Sequence, residues 1–158
     1  MAEMNKQRMT KILARAGSVE VAALSEDIQR LHKPVVVKEP QKSLTMIKLR
    51  EPVQQSLFYL GEVIVHEAIV EIDGTQGAAV LMCSGSESDA AKVLDMAIID
   101  AAVNKNIFSG FEVLADIEQQ QDELVRKQNA LHLKTMVSFD SLDQTAPSDL
   151  GAFKGGTK

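Results

Sequence analysis

Phe58-Tyr59-Leu60-Gly61-Glu62-Val63-Ile64-Val65-His66-Glu67-Ala68-Ile69-Val70-Glu71-Ile72, closed by Asp73-Gly74 and Gly77, decides the fold class. β-Branched residues dominate it, so it reads as one long strand. At a two-residue period one face carries Phe58, Leu60, Glu62, Ile64, His66, Ala68, Val70 and Ile72, a core face with two polar residues sunk into it. The other face is apolar only around Val63 and Val65, which a helix of the chain or a partner subunit must cover. Sixteen residues from Leu57 would extend roughly 50 Å, so a bulge or bend is expected, and Gly61 is its natural place.

Working outward, Asp73-Gly74 turns the chain into a strand at Ala78–Met82. Val35–Val37 and Leu44–Arg50 carry further strand signal, bounded by Pro40 and Pro52, which should interrupt pairing. Short connections require the sheet to be antiparallel. Ahead of it, Met9, Ile12, Leu13 and Ala16 recur at helical spacing with Gly17 ending the run, and Ser18 can cap a second helix through Val21, Leu24, Ile28 and Leu31. After the sheet, Ser86 and Asp89 resemble a capping box before an apolar helix near residues 90–102. Ser109 and Glu112 form a second box, before a helix through Leu114, Ile117, Leu124 and Leu131. The expectation is an α+β fold: an antiparallel sheet of three to four strands, two N-terminal helices and two helices after the sheet. It occupies one domain over residues 5–139, with a flexible tail over 140–158.

The chain has 158 residues, 45% hydrophobic and 25% charged, as expected of a globular domain. Its net charge of -5 has the wrong sign for tracking a phosphate backbone, so nucleic acid is not an expected partner. No apolar run is long enough to span a bilayer, and the single cysteine, Cys83, favours a reducing compartment; a cytoplasmic location is the default.

Glu62 and His66 invite an acid–base or metal reading, and with Asp73 they would make a small metal-dependent hydrolase. Four residues along a strand span about 13 Å, too far to share a metal or a proton. His66 therefore reads as a core histidine and Glu62 as a structural or interface residue that needs a partner. No catalytic residue is named, and no cofactor or metal site is expected. Asp100, inside an apolar helix pattern, is a structural or interface candidate, and the methionines at 9, 46, 82, 96 and 136 read as core or interface filler. With more apolar strand than its helices obviously cover, the chain reads as a subunit, or alternatively as a homodimeric binding module without chemistry.

In sequence order, Arg8-Met9 with Leu13-Ala14, Glu39-Pro40, Met46, Phe58-x-x-Gly61-Glu62, Val70 with Gly74 and Gly77, and Ala97-x-x-Asp100-Ala101 resemble subunit PhnG of the bacterial carbon–phosphorus lyase system. The match spans about residues 6–104, and Val137-x-Phe139 looks like the family's closing motif. The departures are the absence of Trp, Ser43 at an approximate glycine position, and a slightly longer stretch from Gly77 to Ala97. The resemblance implies an accessory subunit of a core complex that makes ribose 1-phosphonate 5-triphosphate from ATP and a phosphonate such as methylphosphonate, releasing adenine. ATP would be a substrate of the complex, not a ligand of this chain. The implied partners are the other core subunits, the large nucleosidase-like subunit first; the leading expectation is binding through the sheet and the apolar helix near residues 90–102, with Gly61, Glu62, Val63, Val65 and Asp100 as interface or structural candidates.

Overall fold

The computed structural model describes residues 4–135, so the 140–158 segment and Val137-x-Phe139 lie outside the described residues. The elements are α1 (Lys6–Arg15), α2 (Ser18–Leu31), β1 (Val35–Arg50), β2 (Leu57–Ile72), β3 (Thr75–Met82), α3 (Asp89–Asn104) and α4 (Phe111–Lys134). Two helices precede and two follow a three-stranded antiparallel sheet of order β1-β2-β3, the expected α+β class.

The chain divides into two compact units, residues 1–122 and 123–158. The first holds the sheet and its core. There Ala68, Val70 and Ile72 of β2 meet Val93, Met96, Ala97 and Ala101 of α3, with Met9, Ile12, Leu13, Val21, Leu24 and Ile28 from α1 and α2. Of the second unit, the helix to Lys134 and the turn after it are described; its Leu124, Leu131 and Leu133 are exposed, and Thr135 Oγ1 donates to the His132 carbonyl.

α3 lies close on the sheet because Gly77 has no side chain: a Cβ there would collide with the Ala97 and Ala101 backbone, 2.6 Å from the Ala101 Cα. Asp100 locks the same contact. Its carboxylate accepts from the Ala78 amide at 3.1 Å and from Asn104, and pairs with Lys6 at 3.0 Å. Earlier on α3, the buried Lys92 ammonium donates to the carbonyls of Ala14 and Ala16 at 2.8 and 2.7 Å, capping α1 from α3. Arg8 of α1 holds Glu118 of α4 through two parallel bonds, and Gln121 reaches the Ile12 carbonyl.

Several local expectations shift. β1 runs unbroken through Pro40, because Pro40 sits on an edge strand inside a bulge, where a missing amide costs no ladder bond; pairing steps from Lys38–Ile69 to Gln41–Glu67 across it. Gly17, not Ser18, is the N-cap of α2, with its amide bonded to Glu20 Oε2 at 2.8 Å. Asp89 does not close a box with Ser86. Its carboxylate turns back to the amide and hydroxyl of Ser84.

The bulge on β2 falls where the glycine placed it. Ile47 pairs with Gly61 and Lys48 with Tyr59, leaving Leu60 as the extra residue. That extra residue reverses the alternation, so Tyr59 joins Glu62 and Ile64 on one face while Phe58 goes to the other. The single core face read from Phe58 to Ile72 therefore ends at the bulge.

Candidate functional site

β3 ends at Met82, opposite Val65, and the Cys83 amide adds one further bond to the Ile64 carbonyl at 3.0 Å. Beyond that point β1 and β2 continue as a two-stranded arm, from Leu44–Ile64 to Arg50–Leu57, with the turn at residues 51–56 as its tip. Nothing among the described residues covers either face. On one side Leu44, Met46, Tyr59 and Ile64 are exposed, with Lys48 stacked 5.1 Å from the Tyr59 ring centroid; on the other, Leu49 and Phe58. Leu44 is 66% accessible and Val53, at the tip, 84%. Exposed apolar surface of this kind is common at contact sites.

Glu62 and Gly61 lie on this arm and are exposed. The expected burial of Glu62 fails because α3 covers only the half of β2 that β3 also reaches, so the carboxylate is solvated and needs no internal partner. Val63 is half-buried, and Val65 is buried yet outside the core cluster. The helix-free face of the sheet continues the exposure with Val80 and Met82. α3, in contrast, presents its apolar arc to its own sheet, so the helix near residues 90–102 is no open contact surface.

The structure does not bring Glu62, His66 and Asp73 together. Glu62 is on the arm, while Asp73 sits in the β2–β3 turn, bonded to Lys105 at 2.5 Å, which with His32 nearby holds its carboxyl below the ordinary range. His66 has other company. The register set by the Asp73-Gly74 turn puts it opposite Leu81, so Cys83, two residues on, stands diagonally beside it on the same face. Asp89, the first residue of α3, closes the group. One ligand atom from each of His66, Cys83 and Asp89 lies within 4.8 Å of the other two.

His66 is 7% accessible and Asp89 5%, and Cys83 is half-buried. His66 Nδ1 is buried without a hydrogen-bond partner among the described residues, where the sequence implied a satisfied core histidine. The bond from the Ser84 hydroxyl holds the Asp89 carboxyl below its ordinary value; the Ser84 amide and the nearby imidazole act in the same direction, against burial. Pairwise distances along one strand do not reveal this cluster. The signal that finds it is the two-residue turn, which fixes the register, together with an acid at the start of the next helix.

No curated protein matches the chain. The model for the family described as phosphonate metabolism protein PhnG matches residues 4–144, nearly the whole chain. The residues that carried the resemblance fall at joints of the fold: Arg8 on Glu118, Gly77 under α3, Asp100 between β3 and α1, Glu39-Pro40 in the edge bulge and Gly61 at the β2 bulge. The chain belongs to the PhnG family of phosphonate metabolism proteins.

Proposed function

We propose that this chain is an accessory subunit of a carbon–phosphorus lyase core complex, supporting the reaction of ATP with a phosphonate such as methylphosphonate to give ribose 1-phosphonate 5-triphosphate and adenine. The observation that carries this reading is the apolar arm: Leu44, Met46, Tyr59 and Ile64 on one face, Leu49 and Phe58 on the other, with no element of the described chain over them. An isolated two-stranded ribbon is marginal in water, so a partner that sandwiches it supplies the missing layer. The occupant is the large nucleosidase-like subunit, with Gly61, Glu62 and Val63 inside the contact and Asp100 holding the body that the arm grows from. Glu62, solvated in the free chain, is placed to meet a cation of the partner at the edge of that contact. The nucleotide and the phosphonate bind to the complex, and this chain shapes the subunit that handles them.

Co-expression with the large subunit, followed by size exclusion with light scattering and an adenine-release assay on ATP plus methylphosphonate, tests the reading. The expected result is a co-eluting complex whose ribosyl-triphosphate synthesis needs this chain and is lost when Leu44, Tyr59 and Ile64 are changed to Ser. Separate elution with unchanged partner activity sinks it. A concentration-dependent dimer of this chain alone, disrupted by Val80→Lys or Met82→Lys on the helix-free face, would replace it with the homodimeric binding module.

A further inference from the structure

We propose that His66, Cys83 and Asp89 form a binding site for a divalent transition metal of the zinc class, at the root of the arm. Three elements supply one ligand each: β2 the imidazole, the residue after β3 the thiol, and the first turn of α3 the carboxylate. This arrangement differs from the Glu62–His66 pairing that strand spacing excludes, because these ligands converge across the sheet.

The donor set selects the metal class. One sulfur, one imidazole nitrogen and one carboxylate oxygen suit zinc and its neighbours, while magnesium and calcium require oxygen ligands. In a tetrahedral zinc site, bonds of about 2.0–2.3 Å place ligand atoms roughly 3.3–3.8 Å apart. The atoms here lie within 4.8 Å, so small side-chain rotations of Cys83 and Asp89 bring them onto one ion. Three protein ligands leave the fourth position to water or to a group from a partner.

The surroundings are those of a held site. Asp89 is oriented by the Ser84 amide at 2.7 Å and the Ser84 hydroxyl at 2.8 Å, and it stands in the first turn of α3, where the helix dipole favours anions. Along the same face of β2, Ala68, Val70 and Ile72 are apolar and buried, while His66 Nδ1 has no partner among the described residues. Leaving a buried polar atom unpaired costs about 1–3 kcal/mol. A cation held through Nδ1 would remove that cost. Binding proceeds by loss of the Cys83 thiol proton to solvent as the sulfur–metal bond forms, so thiolate and carboxylate together neutralise the dication, and affinity rises with pH. The ion would tie the end of β3 and the start of α3 to β2, where the arm leaves the body.

The test uses the full-length chain alone, purified and chelator-treated, then titrated with Co2+ and displaced with Zn2+; its outcome is therefore independent of whether the chain joins a complex. The expected result is one equivalent of Co2+ with a thiolate-to-cobalt charge-transfer band and tetrahedral visible bands, lost on adding one equivalent of Zn2+, and a higher Tm with zinc. Cys83→Ser should abolish the charge-transfer band, and His66→Gln and Asp89→Asn should each weaken zinc at least tenfold. Cys83 is half-buried, so its serine variant keeps the fold, which circular dichroism checks. Absence of the charge-transfer band in the unaltered chain overturns the proposal. So does affinity unchanged in both Asp89→Asn and His66→Gln, which would mean a thiol binding metal by itself.

Discussion

The two halves of β2 both carry apolar residues in alternation and meet opposite fates. From His66 to Ile72 the strand is flanked by β1 and β3, and Ala68, Val70 and Ile72 are sealed under α3; from Leu57 to Ile64 it has one neighbouring strand and, among the described residues, no cover. Val, Ile, Leu and Phe alone do not make a core. A core needs a second layer, and among the described residues that layer covers only half of β2. The covered half is sealed by the chain itself, and the uncovered half is the surface proposed for a partner.

The largest effect that would break this contrast is at Gly77. Gly77→Val drives side-chain atoms into the α3 backbone, and overpacking of this kind costs about 3 kcal/mol or more, so urea denaturation should show a strongly destabilised or unfolded chain. A mild effect would mean that α3 does not lie as close to β3 as described. Next come matched truncations. Val70→Ala, in the covered half, should cost about 2 kcal/mol in the isolated chain. Phe58→Ala, in the arm, should cost under about 0.5 kcal/mol there and show its effect in the complex, as at least a tenfold loss of partner affinity. Equal losses of stability from both would erase the distinction between the halves.

The body also closes its polar groups internally, which sharpens the contrast. Lys92→Met keeps the length of the side chain but abandons the Ala14 and Ala16 carbonyls, an expected loss of about 2 kcal/mol by urea denaturation. Burial pulls the Lys92 ammonium below its ordinary value, so part of the loss is offset by no longer burying a charge. A variant at least as stable as the parent would show that the charge costs more than the caps contribute.

Much of this was legible in the residues. Period-two alternation, the Asp73-Gly74 turn, the small residues facing the sheet from α3 and Gly61 at a bulge all follow from local chemistry, and so does the α+β class. What a face meets is another matter. Glu62 reads as buried because it alternates with apolar residues, and nothing local reveals that α3 stops short of it or that Leu60 inverts the alternation. Pro40 reads as a break because a central strand would need its amide, whereas edge placement depends on the whole sheet. Spacing along one strand does not bring Cys83 and Asp89 to His66; their proximity comes from the hairpin register and the α3 crossing.

The smallest predicted effect is at Asp95, where α3 faces α2. Burial raises its carboxyl above the ordinary value, the 2.5 Å bond from Ser25 Oγ acts the other way, and Glu26 adds to the rise. With the folded value above the unfolded one, the folded chain takes up a proton before the unfolded chain does as pH falls. The cost of holding the charge is thus present in full above the folded value and relieved as pH drops through it toward the ordinary carboxyl range. Asp95→Asn keeps an oxygen for Ser25 to donate to and carries no charge. The variant should be as stable as the parent or slightly more so at neutral pH, and that advantage should shrink as urea midpoints are followed down to the ordinary carboxyl range. A difference between variant and parent that stays constant with pH would mean that Asp95 is as well solvated as the residues of the arm, and that the α2–α3 contact is looser than the rest of the body.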